Sequence, residues 1–559
     1  MPSLLNKAWK IKTPHSDSSL ISRVCAHREL KLESELSELH SPWALKDIDK
    51  AVARLERALK DQERIMIFGD YDVDGVTGAS ILYLGLKDLG ALVSVRLPHR
   101  EKDGYGLNTR VLDECKQLGV PIVITVDCGI SNVKEVEYGK ELGLDIIITD
   151  HHAIPPQLPK AFAILNPKQV DCQYPEKNIC GAVVAFKLLM ALSERIKSTV
   201  ADLSDTFLDM AALATVADCM PLTGENRLIV KRGLLQFQQT KHRGLRTLLQ
   251  SYNLINNPKL QTTNYELRTP TINSYDLGFK IAPCINAAGR LEDPMIAFKM
   301  MMGDEETALQ LRGINEERQE VVKSALEEAS AQVERDHLND PILIFWGETW
   351  QPGIIGLLAG KICEKYHKPV ICLTRHEHKY VGSCRSIPEI NIVETLQRHE
   401  DLFLNYGGHA QAAGLSIAPQ RLDELRQRLI AEVAAFMKKN PIEPYLSIDT
   451  EILAEEITLK NTQLLDRLEP FGMGNTKPKF LLKNLTIAEA RPVGKDQTHL
   501  QLQLSNGKQV FKGIAFQMAE HQQTLRDWKT VDLVCQLNRN EWNGKTSVDL
   551  QVVDARKRV

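Results

Sequence analysis

The sequence predicts an α/β protein: a parallel-sheet domain, a long connecting helix, a second α/β domain and a C-terminal β-barrel. Three observations predict this class: short apolar runs that alternate with helical stretches, one long charged helical pattern, and paired alternating segments near the C-terminus. The 559 residues are enough for several separate cores. The predicted domains are an N-terminal segment at 1–44, a parallel-sheet domain at 45–303, a connecting helix at 304–339, a second α/β domain at 340–440 and a barrel domain at 441–559.

The first domain shows the alternation that is typical of a parallel sheet. Its apolar runs are rich in β-branched residues and too short for helices. Helical stretches lie between them, and two end near glycines, Gly90 and Gly143. Such sheets bind ligands at the carboxyl ends of their strands. The predicted strands are 65–68, 92–97, 122–126 and 146–148, and the predicted helices are 79–89, 132–142, 181–192 and 208–217.

The middle of the chain predicts a long helix and a second α/β domain. A charged and apolar helical pattern covers 304–336, with one expected interruption at Gly313. A strand at 342–345, a helix at 354–366 and a strand at 370–373 follow, and Pro441 and Pro444 mark the end of this domain.

The last hundred residues predict hairpins. Leu500, Leu502 and Leu504 alternate with polar residues, and Asn506-Gly507 supplies a two-residue turn into 510–516. A second hairpin is predicted around Asn543-Gly544. A small barrel of the oligonucleotide-binding type is one candidate for such strands. Residues 471–559 carry 14 Lys and Arg against 8 Asp and Glu, a local surplus that suits a polyanion.

Bulk composition excludes several classes of protein. The net charge is only −3, so a basic protein that coats nucleic acid is excluded. The 11 cysteines are scattered and form no C-x-x-C pair, which argues against a disulfide framework or a cysteine-rich zinc site. No signal peptide or membrane-spanning stretch is recognisable. We therefore expect a cytoplasmic protein.

Acidic and imidazole side chains follow three predicted strands of the first domain. Because the carboxyl ends of parallel strands share one edge, we expect these side chains to meet. Carboxylates at this density repel one another unless cations lie between them, and two divalent ions are the simplest solution. A calcium loop is the alternative for the first cluster, but Ile81 stands where an EF-hand needs Glu. The side chains are Asp70, Asp72, Asp74, Asp127, Asp150, His151 and His152.

Ordered motifs resemble a known superfamily over residues 45–559. The first four motifs below resemble the DHH phosphoesterases, and the remainder resemble the RecJ branch, which consists of single-strand-specific 5′→3′ DNA exonucleases. The motifs are GDYDVDG at 69–75, VDCGI at 126–130, TDHH at 149–152, TVAD at 215–218, NAAGR at 286–290, GSCRS at 382–386, and GGH at 407–409 with AAG at 412–414.

The resemblance implies a DHH-type domain, a DHH-associated domain, an OB-like barrel and two bound ions, Mn²⁺ or Mg²⁺. Asp127 would bridge the ions, and Asp70 would either bind an ion or support its neighbours. Asp72 and Asp74 would each serve one ion. The complete set of implied metal ligands is Asp70, Asp72, Asp74, Asp127, His151 and Asp218.

The resemblance also implies catalytic roles. His152 would face the scissile phosphate, and Asp150 would orient the imidazoles. With Asp127 they form the implied catalytic set. Without the resemblance, an isolated Asp127 is more typical of a helix cap.

Substrate contacts are implied in the second domain. RecJ-like proteins use the 382–386 segment to hold the 5′-terminal phosphate, and the fork of an arginine suits that group. Tight turns are the alternative explanation for this segment and for the 407–409 glycines. The implied substrate-binding residues are Arg100, which precedes the Gly104-Tyr105-Gly106 segment, Arg290, Ser383, Arg385, Ser386, Gly408 and His409.

The chain departs from the family pattern at Cys128 and Cys384, where many relatives carry Asn and Gly. The resemblance implies a monomeric exonuclease for single-stranded DNA that acts in recombination and repair, with single-strand-binding protein and a RecQ-type helicase as partners. Two alternatives remain: a phosphodiesterase for short oligonucleotides or cyclic dinucleotides, and a DNA-binding scaffold without activity. The basic barrel disfavours the first, and the presence of all the implied ligands disfavours the second.

Overall fold

The chain was analysed as a computed structural model that describes residues 3–28, 39–100, 103–104, 106–197, 204–255, 272–542 and 545–558. It divides into two compact units. The terminal unit comprises Met1–Ser37, Pro221–Gly224 and Glu443–Val559, and the large unit comprises Glu38–Met220 and Glu225–Ile442. No helix among the described residues is long and apolar enough to span a membrane.

The strands, in chain order, are β1 (Ala8–Thr13), β2 (Arg64–Gly69), β3 (Leu92–Arg96), β4 (Ile122–Val126), β5 (Asp145–Thr149), β6 (Ala163–Leu165), β7 (Leu343–Gly347), β8 (Val370–His376), β9 (Lys379–Arg385), β10 (Phe403–His409), β11 (Ala412–Ile417), β12 (Tyr445–Glu451), β13 (Phe480–Val493), β14 (His499–Ser505), β15 (Val510–Ala515), β16 (Thr530–Trp542) and β17 (Lys545–Lys557).

The α-helices, in chain order, are α1 (Leu20–Cys25), α2 (Ile48–Asp61), α3 (Val73–Asp88), α4 (Thr109–Gln117), α5 (Val133–Glu141), α6 (Gly181–Arg195), α7 (Ser204–Ala217), α8 (Gly224–Phe237), α9 (Arg243–Ser251), α10 (Ser274–Asp276), α11 (Ala282–Leu291), α12 (Met295–Met301), α13 (Glu305–Gln332), α14 (Ile355–Tyr366), α15 (Ile392–Gln397), α16 (Leu422–Lys439), α17 (Leu459–Asp466) and α18 (Gln522–Trp528). The π-helical turns Leu277–Ile281 and Val333–His337 continue α10 and α13. Short 3-10 helices cover Pro42–Ala44, Glu400–Leu402, Pro419–Arg421, Ala454–Glu456 and Ala519–His521.

The first sheet of the large unit is parallel, with the order β3-β2-β4-β5-β6. Every residue of β4 is buried, as expected for a central strand that is covered on both faces. The register pairs Gly69 with Val126 and Val126 with Thr149. The last residues of β2, β4 and β5 are therefore direct neighbours, and the predicted parallel sheet is confirmed.

The connecting helix is more regular than predicted and ends within the predicted range, at Gln332 with a π-helical turn to His337. Helix α13 runs unbroken through Gly313, where the sequence predicts an interruption, so that expectation was wrong. A glycine inside a helix costs about 1 kcal/mol relative to alanine. The buried side chains of Leu311 and Ile314 anchor the helix on either side of this position and offset that cost.

The second sheet of the large unit is mixed, with the order β10-β11-β9-β8-β7. Only β7 and β8 among its strands pair in parallel. The 382–385 and 407–409 segments lie inside β9 and β10, so the turns considered for them were wrong. The alternating burial along β9 explains why this segment is a strand and not a turn. Glycine and small residues in β9 let β8 and β11 pack on both sides of it.

The terminal unit contains a closed barrel. Strands β13, β14, β15, β17 and β16 pair in that order, and β13 also pairs with β16. The hairpin around Asn506-Gly507 is confirmed, but Ser505 pairs with Val510, so the loop spans 506–509 and the predicted two-residue turn was wrong. The predicted turn at Asn543-Gly544 lies outside the described residues. The N-terminal residues belong to this unit: β1 pairs in parallel with β12, and Leu20 and Val24 of α1 pack into the barrel core. No local pattern predicts that these two strands pair, because they are more than 400 residues apart in the chain.

Candidate active site

Three carboxylates follow adjacent strands at one edge of the parallel sheet. The backbone N–H of Asp70 donates to the carbonyl of Val126 at 3.1 Å, and that of Asp127 donates to Thr149 at 2.9 Å. The N–H of Asp150 donates to Leu165 at 3.0 Å. Because each acidic residue continues the hydrogen-bonding of the sheet, its side chain projects at the same edge as the others.

Side-chain ligand atoms converge there in overlapping groups, each within 4.8 Å. Asp127 belongs to two groups, and so does His151. All the implied metal ligands fall into these groups, together with His152. The groups are Asp70, Asp72 and Asp127; Asp74, His151 and Asp218; and Asp127, His151 and His152.

Hydrogen bonds from backbone N–H groups fix two of these carboxylates, Asp72 and Asp74, just after β2. Asp72 caps α3, and its Oδ1 accepts from the N–H groups of Asp74 at 2.9 Å and Gly75 at 3.1 Å. The carboxylate of Asp74 accepts from the N–H groups of Gly181 at 2.6 Å and Ala182 at 2.8 Å, at the start of α6. A Cβ at Gly75 would lie 2.4 Å from the backbone of Asp70, so only glycine allows this tight loop.

The electrostatics of the cluster favour a bound cation. Burial and then repulsion from neighbouring aspartates raise the pKa of Asp127 well above its ordinary value, and burial raises the pKa of Asp218 to about 8. Burial lowers the pKa of His151 to about 4, so its imidazole is neutral and able to bind a metal.

The geometry around His151 also indicates a metal site. Its Nε2 lies 3.1 Å from an oxygen of Asp127 and 3.4 Å from one of Asp218. Neither ring nitrogen has a hydrogen-bond partner among the described residues, and the same is true of Oδ1 of Asp70 and Oδ2 of Asp218. Buried carboxylate oxygens and imidazole nitrogens that face one another and lack hydrogen-bond partners are suited to binding divalent cations. The residues therefore fit a pair of Mn²⁺ or Mg²⁺ ions.

Asp150 is a positioning residue. Its Oδ1 lies 2.8 Å from Nδ1 of His152 and accepts from the N–H groups of His151 and His152, and its Oδ2 accepts from Ile130. Burial disfavours a charged His152, but the hydrogen bond to Asp150 outweighs it and raises the pKa of His152 to about 9. The His152 ring faces that of His409, with 6.1 Å between centroids.

A cavity of about 480 Å³ opens on the second sheet of the large unit. Arg100, Ser383, Arg385 and Gly408 line it, and none of the described lining residues is acidic. Nη1 of Arg385 donates to Oγ of Ser383 at 3.2 Å. We call this cavity the cationic pocket.

The cationic pocket adjoins the carboxylate cluster. The guanidinium of Arg100 lies 5.4 Å from the centre of the Tyr71 ring, and Tyr71 belongs to the same loop as Asp70 and Asp72. Nη1 of Arg290 donates to the carbonyl of Gly353 at 2.9 Å. Burial and repulsion from Arg100 lower the pKa of Arg290 to about 10, so an anion here would be stabilised.

Several residues highlighted in the sequence point neither into the pocket nor at the ligand atoms of the cluster. The hydroxyl of Ser386 donates to the carbonyl of Ile390 at 2.7 Å, and Ser386 does not line the pocket. Cys384 is buried on the face of β9 opposite Ser383, and Cys128 is buried beside the carbonyl of Phe68. Tyr105 lies outside the described residues.

Sequence reasoning missed part of the pocket. The start of α14 borders it, and a Cβ at Gly356 would lie 3.1 Å from Oγ of Ser383. The N-terminus of this helix adds favourable potential for an anion. His376 and Lys379 also line the pocket, and the alternation of β9 could have revealed Lys379.

Family models match three parts of the chain. The DHH family, N-terminal domain, matches residues 64–215, and the DHHA1 domain matches residues 339–435. The RecJ OB domain matches residues 448–554.

Curated and solved proteins resemble the chain over nearly its whole length. The single-stranded-DNA-specific exonuclease RecJ of Bacillus subtilis is 34% identical over 97% of this chain and 68% of that protein. The Escherichia coli protein of the same name is 31% identical over 95% of this chain and 94% of that protein. The crystal structure of Thermus thermophilus RecJ in complex with Mn²⁺ is 30% identical, with a TM-score of 0.80 over 99% of this chain and 80% of that chain.

Proposed function

The chain belongs to the RecJ family of DHH phosphoesterases, and on this premise we propose that it is a metal-dependent exonuclease that removes nucleotides from the 5′ end of single-stranded DNA. One observation carries the proposal. A buried cluster of carboxylates and imidazoles adjoins a cation-lined pocket in the same unit, through the neighbouring rings of His152 and His409 and through Tyr71 and Arg100.

Two ions would be held by the strand-end cluster, one by Asp70 and Asp72 and the other by Asp74, His151 and Asp218. Asp127 would be the ligand that both ions share, because it belongs to one group with Asp70 and Asp72 and to another with His151. Solved RecJ structures of Thermus thermophilus hold Mn²⁺ or Mg²⁺, which supports this choice of metal. When bound, such a pair activates water and neutralises charge on a phosphoryl group.

The protein's own residues supply orientation and a proton. Asp150 fixes Nδ1 of His152, which leaves Nε2 to donate toward a phosphate oxygen at the cluster. The raised pKa of His152 keeps that proton in place at neutral pH. The His409 ring stacks against the same ring, with 6.1 Å between the centroids.

The cationic pocket would explain why degradation starts at the 5′ end of a strand. Arg385, Ser383 and the start of α14 would bind the terminal 5′-phosphate, because arginine forks and helix N-termini both favour phosphate. A strand held there by its 5′ end presents its first internucleotide linkage to the cluster.

The terminal unit would hold the following nucleotides. On its barrel, the side chain of Arg491 is 60% exposed, and the exposed Phe516 makes an edge contact with His499. Cations with exposed rings are typical of surfaces that bind single strands without reading sequence. We propose that single-strand-binding protein and a RecQ-type helicase supply such strands in recombination and repair, and that the enzyme is a monomer.

We also propose that the enzyme works in the cytoplasm. None of the 11 cysteines, all of which the structure describes, forms a disulfide, and most of them are buried. Scattered thiols without disulfides are typical of a reducing compartment.

End-labelled strands test the proposal. The purified protein would be incubated with Mn²⁺ and single or double strands labelled at the 5′ or the 3′ end, with EDTA as the control. We expect the 5′ label of single strands to appear first as mononucleotide. Earlier release of the 3′ label, or equal digestion of duplexes, would contradict the proposal.

A further inference from the structure

The outer half of the cationic pocket has no role in binding a single phosphate. Side chains on one face of a strand recur every second residue, and along β9 this face carries Lys379, Val381, Ser383 and Arg385. His376 on β8 pairs across the hairpin with Lys379. Lys379 and His376 both line the pocket, at the end away from Arg385.

The pocket carries more positive charge than one phosphate needs. Arg100 and Arg385 already provide forks for a terminal phosphate. The side chains of Lys379 and His376 make no hydrogen bond or ion pair with any residue that the structure describes. The nearby carboxylate of Glu348 accepts from the hydroxyl of Tyr380 at 2.6 Å and does not line the pocket. An unpaired cation in a groove that lacks acids is suited to a further anion.

The distance along β9 defines the shape of that anion. Lys379 and Ser383 are four residues apart, which is about 13 Å along a strand. One phosphate cannot reach both, but a chain of phosphates that extends outward from Ser383 would approach the end of the lysine side chain. The cavity of about 480 Å³ has room for such a chain.

We propose that the outer half of the pocket binds the second and third phosphates of a 5′-triphosphorylated strand, so that the enzyme accepts these ends as well as 5′-monophosphates. The inference rests on the proposed function, which places the first phosphate at Ser383 and Arg385. Hydrolysis then breaks the bond between phosphorus and the 3′ oxygen of the first linkage. The 3′ oxygen leaves with the first nucleotide as a nucleoside 5′-triphosphate, and the water oxygen remains on the 5′-phosphate of the shortened strand.

Matched oligonucleotides test the inference. Single strands of one sequence, with a 5′-triphosphate or a 5′-monophosphate, would be compared for binding in EDTA and for first-product release with Mn²⁺. We expect the wild type to bind the triphosphorylated strand at least as tightly and to release a nucleoside triphosphate from it. Lys379→Ala should lower the ratio of triphosphate to monophosphate affinity about fivefold, the effect of losing one partly exposed charge pair. Lys361→Ala, an exposed cation on α14 outside the pocket, should leave the ratio unchanged.

The outcomes separate this inference from the proposed function. If the monophosphorylated strand is cleaved but the triphosphorylated one is rejected, only the inference fails. If neither is cleaved, the proposed function fails first. A free nucleoside triphosphate that competes as strongly as the triphosphorylated strand would show a nucleotide site instead, and an unchanged ratio for Lys379→Ala would exclude the outer half as the binding surface.

Discussion

The carboxylate cluster and the cationic pocket are built on two five-stranded sheets of the same unit, but by different means. Asp70, Asp127 and Asp150 follow the ends of neighbouring parallel strands. Ser383 and Arg385 stand on the face of a strand inside a mixed sheet, beneath the start of a helix. Chain topology alone gathers the first set, whereas the second becomes a site only when α14 packs over β9.

The two regions also differ in charge and in task. The cluster gathers carboxylates whose mutual repulsion needs cations, and the pocket gathers cations with no described acid among its lining residues. Under the proposed function, we therefore expect separate side chains to carry cleavage and the selection of the strand end. Substitutions in the cluster should change the rate of cleavage, and substitutions in the pocket should change which end is chosen.

The largest effect is expected at the cluster. Asp127→Asn should reduce cleavage by roughly 10³-fold or more, since it removes the carboxylate shared by two ligand groups. Strand binding, measured in EDTA, should persist. The same substitution should raise the melting temperature in EDTA, because it relieves repulsion among buried carboxylates. Activity near the wild-type level with Mn²⁺ would show that Asp127 is not the shared ligand.

A smaller effect should follow from Asp150→Asn. The variant weakens the hydrogen bond that orients His152, and the loss of such a partner typically costs 10–100-fold, so we expect about that decrease in kcat. KM for single strands should remain unchanged, because Asp150 is buried beneath the site. Asp88→Asn at the exposed end of α3 is the control. A change in KM alone would place Asp150 in strand binding.

Arg385→Ala should change the preference for 5′-phosphorylated ends without abolishing cleavage. We expect the preference for a 5′-phosphate over a 5′-hydroxyl end to fall by about tenfold, as for one lost charge-assisted pair. Arg385→Lys should recover part of it, since the charge remains but the fork is lost. Arg375→Ala on β8, whose side chain is 55% exposed and outside the pocket, is the matched control. An unchanged preference would remove Arg385 from the phosphate site.

The smallest effect is expected in the terminal unit. Arg491→Ala combined with Lys495→Ala should weaken binding of long strands a few-fold and leave cleavage of very short strands unchanged. If both cations contact phosphates, the slope of log affinity against log salt should fall by about 0.7 for each. Truncation of the barrel is a poorer test, because its strands cover Leu20 and Val24 of the N-terminal helix. Equal losses on long and short strands would assign these cations to the catalytic step.

Much of the fold was predictable from local pattern. Strands β2, β4 and β5 are apolar runs between helices, and β14 and β15 form the predicted hairpin, although its loop spans the four residues 506–509. The sequence-based expectation was wrong where a glycine was taken to interrupt a helix or where a glycine turn was considered. Gly313 remains helical and Gly382 lies in a strand, because packing on neighbouring elements outweighs the weak local preference of glycine.

The sequence by itself determined that the acidic side chains after β2, β4 and β5 would meet. Parallel strands bring their carboxyl ends to one edge, so acids at those ends must converge whatever the details of packing. Tertiary structure alone decided the pocket and the terminal unit. Gly356 lies beside Ser383 although the two are 27 residues apart in the sequence, and β1 pairs with β12 although they are more than 400 residues apart. Such contacts depend on which surfaces bury each other, and local periodicity records only that a surface is apolar, not which partner covers it.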